Sequence, residues 1–253
     1  MANSNIIVQP GVSGGGDAPS ETWSYAKAFF PNADTKWFKA KAPTGTFAGK
    51  TALTVSMIIN LDMTVSPGAR YLCSVIDRLT LQDKFVMTWF NSTFRFEVGD
   101  TIAGVVSASP TRADKNYHLA FVYDGSLVGN VARAKIYVDG VDSTNNVSGT
   151  IPAALGARIN NDEFVVCGRA DSETGGFNEN VIACSIFNKA LSGAEVTALY
   201  NSGTYADPTA DADCLHSWWF GDNSNDTFEQ VKDNVGTSDL YGYDTLNGDI
   251  ITL

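Results

Sequence analysis

Asn116-Tyr-His-Leu-Ala-Phe-Val-Tyr-Asp124 and, a short interval later, Ala134-Lys-Ile-Tyr-Val-Asp-Gly-Val141 decide the fold of this chain. Each is a short apolar-rich run of strand character. The second ends in Asp139-Gly140, a pair that can adopt φ > 0 and close a two-residue hairpin. Upstream, Thr51 to Leu61 alternates strictly, with Leu53, Val55, Met57, Ile59 and Leu61 on one face and Ala52, Thr54, Ser56, Ile58 and Asn60 on the other. That period of two predicts a core strand of a sandwich. Phe85 to Phe90 and Thr93 to Val98 flank Asn91-Ser92 as a hairpin, and further strands are expected at Tyr117 to Tyr123, Ala134 to Val138, Glu163 to Cys167, Val181 to Phe187 and Cys214 to Phe220. Loops rich in Gly, Asn, Asp and Ser separate them. The fold class is therefore all-β: a two-sheet antiparallel β-sandwich with one short helix.

That helix is marked by Ser192-Gly-Ala-Glu195, a capping box in which the Ser hydroxyl and the Glu carboxylate each satisfy an orphan backbone donor. Leu191 and Val196 stand as a hydrophobic staple, and Gly203 closes the far end, so the helix should span about Gly193 to Asn201. Residues 1–20 differ in composition. Pro10-Gly-Val-Ser-Gly-Gly-Gly-Asp-Ala-Pro19 reads as a flexible linker behind an apolar tag, Ile6, Ile7 and Val8. An apolar tag on a flexible leash predicts an extended N-terminal assembly arm, followed by a single domain over 21–253.

The two opening strands, Ile186-Phe-Asn-Lys-Ala-Leu-Ser192 and the helix Asn188-Lys-Ala-Leu-Ser-Gly-Ala-Glu-Val-Thr-Ala-Leu-Tyr200 together resemble the laminin-G-like branch of the concanavalin A-like lectin/glucanase superfamily. Its pattern is a "W-H-H-V-A-V-x-Y-D" strand, an "I-Y-V-D-G" strand and an "N-R-A-L-S-x-x-E-I-x-x-L-Y" helix. The resemblance covers roughly Tyr25 to the C-terminus, and its strongest motifs lie between Asn116 and Gly203. It implies a jelly roll. Function has to come from sites, because the same sandwich hosts lectins, glycosidases, lyases and structural modules.

Composition narrows the choices. With 28 acidic and 17 basic residues the formal net charge is -11, and no basic stripe is present, which argues against nucleic-acid or anionic-membrane partners. No segment approaches the ~18 consecutive apolar residues of a membrane span. The N-terminus lacks the basic and apolar regions of a secretory signal, which predicts synthesis in a cytosol. Cys73, Cys167, Cys184 and Cys214 lie in apolar runs without C-x-x-C spacing, so buried thiols are expected; any disulfides would allow three full pairings.

Candidate chemistry is sparse. The E-x-D-x-x-E pattern of the superfamily's β-glucanases starts at none of the glutamates, and a lyase constellation is not supplied by the two histidines, His118 and His216, which are read as packing or hydrogen-bonding strand residues. No catalytic residue is assigned. Calcium is the ion that the resemblance implies, with Asp162, Asp222 and Asp226 as candidate ligands, yet the family's acidic strand pair is replaced here by Ile182 and Ala183. No other cofactor is expected. Trp89, Trp218, Tyr241 and Tyr243 are the candidate glycan or partner contacts, and of the neighbours Trp218 and Trp219 at most one can enter the core.

The expected function is a non-enzymatic structural or adhesion component of a bacteriophage virion: a capsid decoration, head-fibre or tail-associated protein. Its fold would be lectin-like, and its partners other virion proteins, a further copy of itself and a cell-surface glycan. Assembly would take place in the host cytoplasm. The alternative is a carbohydrate-binding module of a bacterial surface or secreted system; the third is a polysaccharide-active enzyme.

Overall fold

The computed structural model describes residues 27–29, 36–41, 46–61, 69–76, 84–91, 93–99, 104–107, 115–156, 163–170, 180–221, 226–227, 229–243 and 250–252. The expected arm at 1–20, with Ile6, Ile7 and Val8, lies outside them. In chain order the first strands are β1 (Lys27–Phe29), β2 (Trp37–Lys41), β3 (Ala52–Leu61), β4 (Arg70–Val75), β5 (Lys84–Phe90), β6 (Thr93–Gly99), β7 (Gly104–Ser107) and β8 (Lys115–Asp124). After a one-turn helix, α1 (Asn130–Arg133), come β9 (Ala134–Val138), β10 (Val141–Asp142), β11 (Thr144–Ser148), β12 (Glu163–Val166) and β13 (Asn180–Phe187). Helix α2 (Gly193–Tyr200) leads into β14 (Cys214–Trp219), β15 (Gln230–Val231), β16 (Leu240–Tyr243) and β17 (Ile250–Thr252). No helix among the described residues is long and apolar enough to cross a membrane.

The strands form two antiparallel sheets. The first runs β10-β9-β8-β3-β13-β1-β17 with β14 also on β13, and the second runs β11-β7-β6-β5-β4-β12-β2-β16-β15. Their inner faces interdigitate, as alternation demands. Leu53, Val55, Met57, Ile59, Phe121 and Ile136 from the first sheet meet Phe85, Met87, Phe94 and Phe96 from the second, all fully buried in one cluster. The predicted hairpins are present: Val138 pairs with Val141 around Asp139 (φ 51) and Gly140 (φ 77), and Phe90 pairs with Thr93 beyond Asn91 (φ 47).

The outer faces depart from a simple polar expectation. Thr54, Ser56 and Ile58, assigned by alternation to the opposite face of β3, are buried as well. Helix α2 and the turns after it lie over that face. Val196 and Leu191 pack on Val122, Tyr137 and Cys214, and Tyr205 packs on Ile58 and Ile182. The capping box forms as predicted, Glu195 N donating to Ser192 Oγ and Ser192 N to Glu195 Oε2. The closing residue differs: Asn201, at φ 46, caps α2 in the left-handed region and its N–H reaches Thr197 O, while Gly203 (φ 91) ends the following 3-10 turn. Lys189 secures this cover by ion pairs with Glu195 (2.9 Å) and Asp211 (2.8 Å).

All four cysteines are buried free thiols. Cys73, Cys167 and Cys184 share the core between the sheets, whereas Cys214 lies in the cluster beneath α2. Burial pushes the Cys73 and Cys167 thiols well up, and drives Cys214 to about 12.

Candidate functional site

The aromatic candidates separate once the strands face their neighbours. Trp89 projects from the inner face of β5 and is 7% exposed, its ring 4.9 Å from Phe94. Trp218 is 1% exposed, stacks between Phe164 and His216, and donates Nε1–H to Ser238 O at 2.8 Å. Both expected contact residues are thus core side chains, because their strand positions share the inward parity of the apolar set. Trp219 points the other way, half-buried, with Nε1 donating to Ser217 Oγ at 2.7 Å.

Tyr241 is different. It is 54% exposed and is the one exposed aromatic side chain among the described residues. On the outer face of the second sheet it occupies a transverse row, with Lys39 of β2 on one side and Gln230 of β15 on the other. Gln230 Nε2 donates to the Tyr241 hydroxyl at 3.2 Å and to Asp239 Oδ2 at 2.8 Å. The Lys232 ammonium joins the same carboxylate oxygen at 2.8 Å, while Asp239 Oδ1 accepts Asp233 N–H at 3.0 Å. Lys39 Nζ lies 5.4 Å from the ring centre of Trp37, itself buried. An exposed ring is therefore held among oriented polar groups on rigid strands. Tyr243 follows on the same strand opposite Trp37, and its side chain lies outside the described residues.

Beneath this patch is a buried support. The Asp233 side chain, 0% exposed, pairs its Oδ2 with His216 Nδ1 at 2.6 Å and accepts Ser238 N–H, while its Oδ1 accepts the N–H groups of Ser217, Val235 and Gly236. Burial works to raise the Asp233 pKa, but the hydrogen bonds from His216, Gly236 and Ser217 outweigh it and hold the carboxyl below its ordinary value. One carboxylate thus ties the 235–238 turn, and with it Asp239, to β14.

Of the expected calcium ligands, Asp162 and Asp222 lie outside the described residues. Asp226 accepts two backbone hydrogen bonds, Oδ2 from Gly221 N–H at 3.0 Å and Oδ1 from Lys232 N–H at 2.7 Å. Among the described residues no group of three His, Cys, Asp or Glu side chains is set to hold a metal ion.

Ser56 Oγ and His118 Nε2 stand 2.9 Å apart, the spacing of a nucleophile and its base. Their surroundings do not suit that chemistry. The pair lines a cavity of about 20 Å³ under Leu199, Tyr205 and Pro208, room for about one water molecule, and burial lowers the imidazole to about 4, a weak base at neutral pH. The ring serves as packing, stacked 6.2 Å from Tyr200.

This has a consequence for pH. The folded imidazole binds a proton less readily than the unfolded one at 6.5, so its contribution is fully present above about pH 6.5 and is lost as pH falls toward 4. The loss amounts to roughly 3 kcal/mol at most. Urea midpoints measured from pH 7 to 4.5 should fall more steeply for the native chain than for His118→Gln. Equal slopes would remove His118 as the cause.

The sequence from residue 34 to 197 matches the family model described as the concanavalin A-like lectin/glucanases superfamily. No curated protein matches. Among solved structures, a candidate carbohydrate binding protein from Bacteroides ovatus superimposes with a TM-score of 0.65 at 15% identity, over 90% of this chain and 60% of that one. The chain therefore spans 60% of that relative's length. A SAP-like pentraxin from Limulus polyphemus aligns at TM-score 0.54 and 12% identity over 90% and 98% of the two chains. The CBM40 domain of the Ruminococcus gnavus IT-sialidase, bound to α2,3-sialyllactose, aligns at 0.50 and 12% over 70% and 99%. At these identities the likeness is one of fold. Given the match across 34–197 and the two-sheet sandwich that carries it, the chain belongs to the concanavalin A-like lectin/glucanases superfamily.

Proposed function

We propose that this protein is a non-catalytic carbohydrate-binding protein whose sugar contact is the Tyr241 patch. The observation that carries the reading is an exposed aromatic ring, fixed by Gln230 on a rigid sheet face and bordered by Asp239, Lys232 and Lys39. A sugar ring can stack its apolar face on such a side chain while its hydroxyls meet the polar groups beside it. The fold shared with the Bacteroides ovatus protein and the CBM40 domain supports this reading. So does the setting of the Ser56–His118 pair, in a recess with room for about one water molecule and with an imidazole that burial makes a weak base.

Titration calorimetry across a panel of plant, algal and bacterial oligosaccharides provides the test. A glycan that binds the native chain should lose about tenfold in affinity, ~1.4 kcal/mol, with Tyr241→Ala, while circular dichroism stays unchanged. Unchanged binding would move the site elsewhere. Product release from any bound polysaccharide would count against the non-catalytic half of the reading.

Two settings remain for this contact. As a capsid decoration, head-fibre or tail-associated protein the chain would attach to other virion proteins or to a second copy and turn the patch outward toward a host glycan. As a module of a bacterial surface system it would hold a polysaccharide at the envelope. Co-purification with intact phage particles supports the first, and co-purification with the envelope fraction the second.

A further inference from the structure

Six large apolar side chains are exposed among the described residues, and three of them, Leu127, Val128 and Val131, fall within five residues of the loop that joins β8 to β9. Val128 is 93% exposed. Scattered single exposed aliphatics need no explanation, whereas a group of them marks a contact surface. The loop is firmly braced. Arg133 donates from Nε to Leu127 O at 2.7 Å and from Nη1 to Ile151 O at 2.8 Å. Asn130 bridges the same segment, its Nδ2 donating to Gly149 O and its Oδ1 accepting from Ile151 N–H. Helix α1 buries none of its own residues. Three aliphatic side chains are thus held in water by a fixed turn and take no part in the core.

The patch is too small to hold a free partner, since stable association buries on the order of 1,200 Å² or more in total. A tethered occupant is under no such demand, because a short flexible tether keeps it at an effective concentration in the mM range. The chain supplies one in the apolar tag Ile6, Ile7 and Val8, which lies outside the described residues and is joined to β1 by residues 9–26. The topology sets the distance. β1 pairs antiparallel with β13, β13 with β3 and β3 with β8, so the first residue of β1 faces the end of the sheet from which the 125–133 loop springs. Phe29 stands opposite Val181, which puts Lys27 beside Ala183, and the registers carry that level through Ile58 to His118. Three strand spacings across and about six residues along then separate Lys27 from the loop by roughly 25 Å. A Gly-containing coil as long as residues 9–26 spans about 22–26 Å. Effective concentration is greatest when tether and span match in this way. We propose that Leu127, Val128 and Val131 form the docking surface for the chain's own Ile6–Val8 segment, an intramolecular latch.

The experiment uses the full chain carrying Ser4→Cys. Because the four native cysteines are buried, a methanethiosulfonate nitroxide reacts with the introduced thiol alone. In an isotopically labelled sample the backbone amide signals of Leu127, Val128 and Val131 should lose about half their intensity or more, as a tag docked about half of the time requires. Those of Val141 and Val235, exposed aliphatics elsewhere, should keep theirs. Ile7→Asp and Val128→Asp should each restore the lost intensity, and the exposure of Val128 leaves the fold indifferent to its change. No loss at the loop, or a loss that survives both substitutions, overturns the latch. A second sample mixes nitroxide-bearing unlabelled chains with nitroxide-free labelled ones. Intact loop signals there support docking within one chain, whereas a loss of equal size assigns the tag to a second copy and overturns the intramolecular latch.

Discussion

Asp233→Ala should destabilise the protein by about 3 to 5 kcal/mol, the cost of stripping a buried hydrogen-bonded pair of one partner. The side chain is inaccessible to water and accepts from His216 Nδ1 and from four backbone N–H groups. Alanine leaves all of these donors without an acceptor in a place that water does not reach, and each carries a desolvation penalty. Asp233→Asn should fall between the two, since the amide retains one acceptor oxygen and turns its nitrogen toward donors. Acid should act in the same direction as the mutation. The folded carboxyl titrates below the unfolded one, so its contribution is present above about pH 4 and is lost as pH falls through the folded value. Urea unfolding at pH 7 with an unchanged m-value measures the effect, and a loss under about 1 kcal/mol would mean that the turn finds other acceptors. Because the 235–238 turn leads to Asp239, a weakened Asp233 should also loosen the polar border of Tyr241.

Ile59→Ala should cost about 2 to 5 kcal/mol, the range for a large-to-small change in a packed core. Ile59 is fully buried between Val181 and Tyr117 in the middle of the first sheet, where neighbours on both sides resist collapse into the void. Ile58 provides the comparison. Alternation alone assigns it to the opposite face, and an exposed isoleucine there would cost little to truncate. It lies instead under Tyr205, 6% exposed, so Ile58→Ala should be felt too, toward the lower end of that range. An Ile59 loss below ~1 kcal/mol would contradict the facing of β3.

What the sequence revealed, and what it concealed, follow from the same physics. β6 was legible because one face is core and its burial alternates, and β3 because its inner face is apolar at every second residue, although its other face is buried as well. The β4 strand was not, since a bulge between Tyr71 and Cys73 brings Leu72 and Cys73 both inward and erases the period of two. β2 carries buried Trp37 on its outer side, under the Gly168 segment, so its apolar residues no longer mark one face. The patch at Tyr241 was half visible. An aromatic near the end of the chain is visible in the sequence, but its neighbours Lys39, Gln230 and Asp239 come from β2, from β15 and from the turn before β16, and only the order β2-β16-β15 brings them together. Trp218 was misleading for a related reason: its parity in β14 could be set only once β14 was known to pair with β13.

The four cysteines divide the molecule into two compartments that a thiol reagent can tell apart. Cys73, Cys167 and Cys184 are sealed between the sheets, while Cys214 is sealed only by helix α2 and its neighbours. A reagent that reaches Cys214 has arrived because the helical cover lifted, a local event; one that reaches Cys73 has arrived because the sandwich itself parted. The chain therefore carries two native clocks, one timing the lid and one timing the fold, with no label introduced and no residue changed.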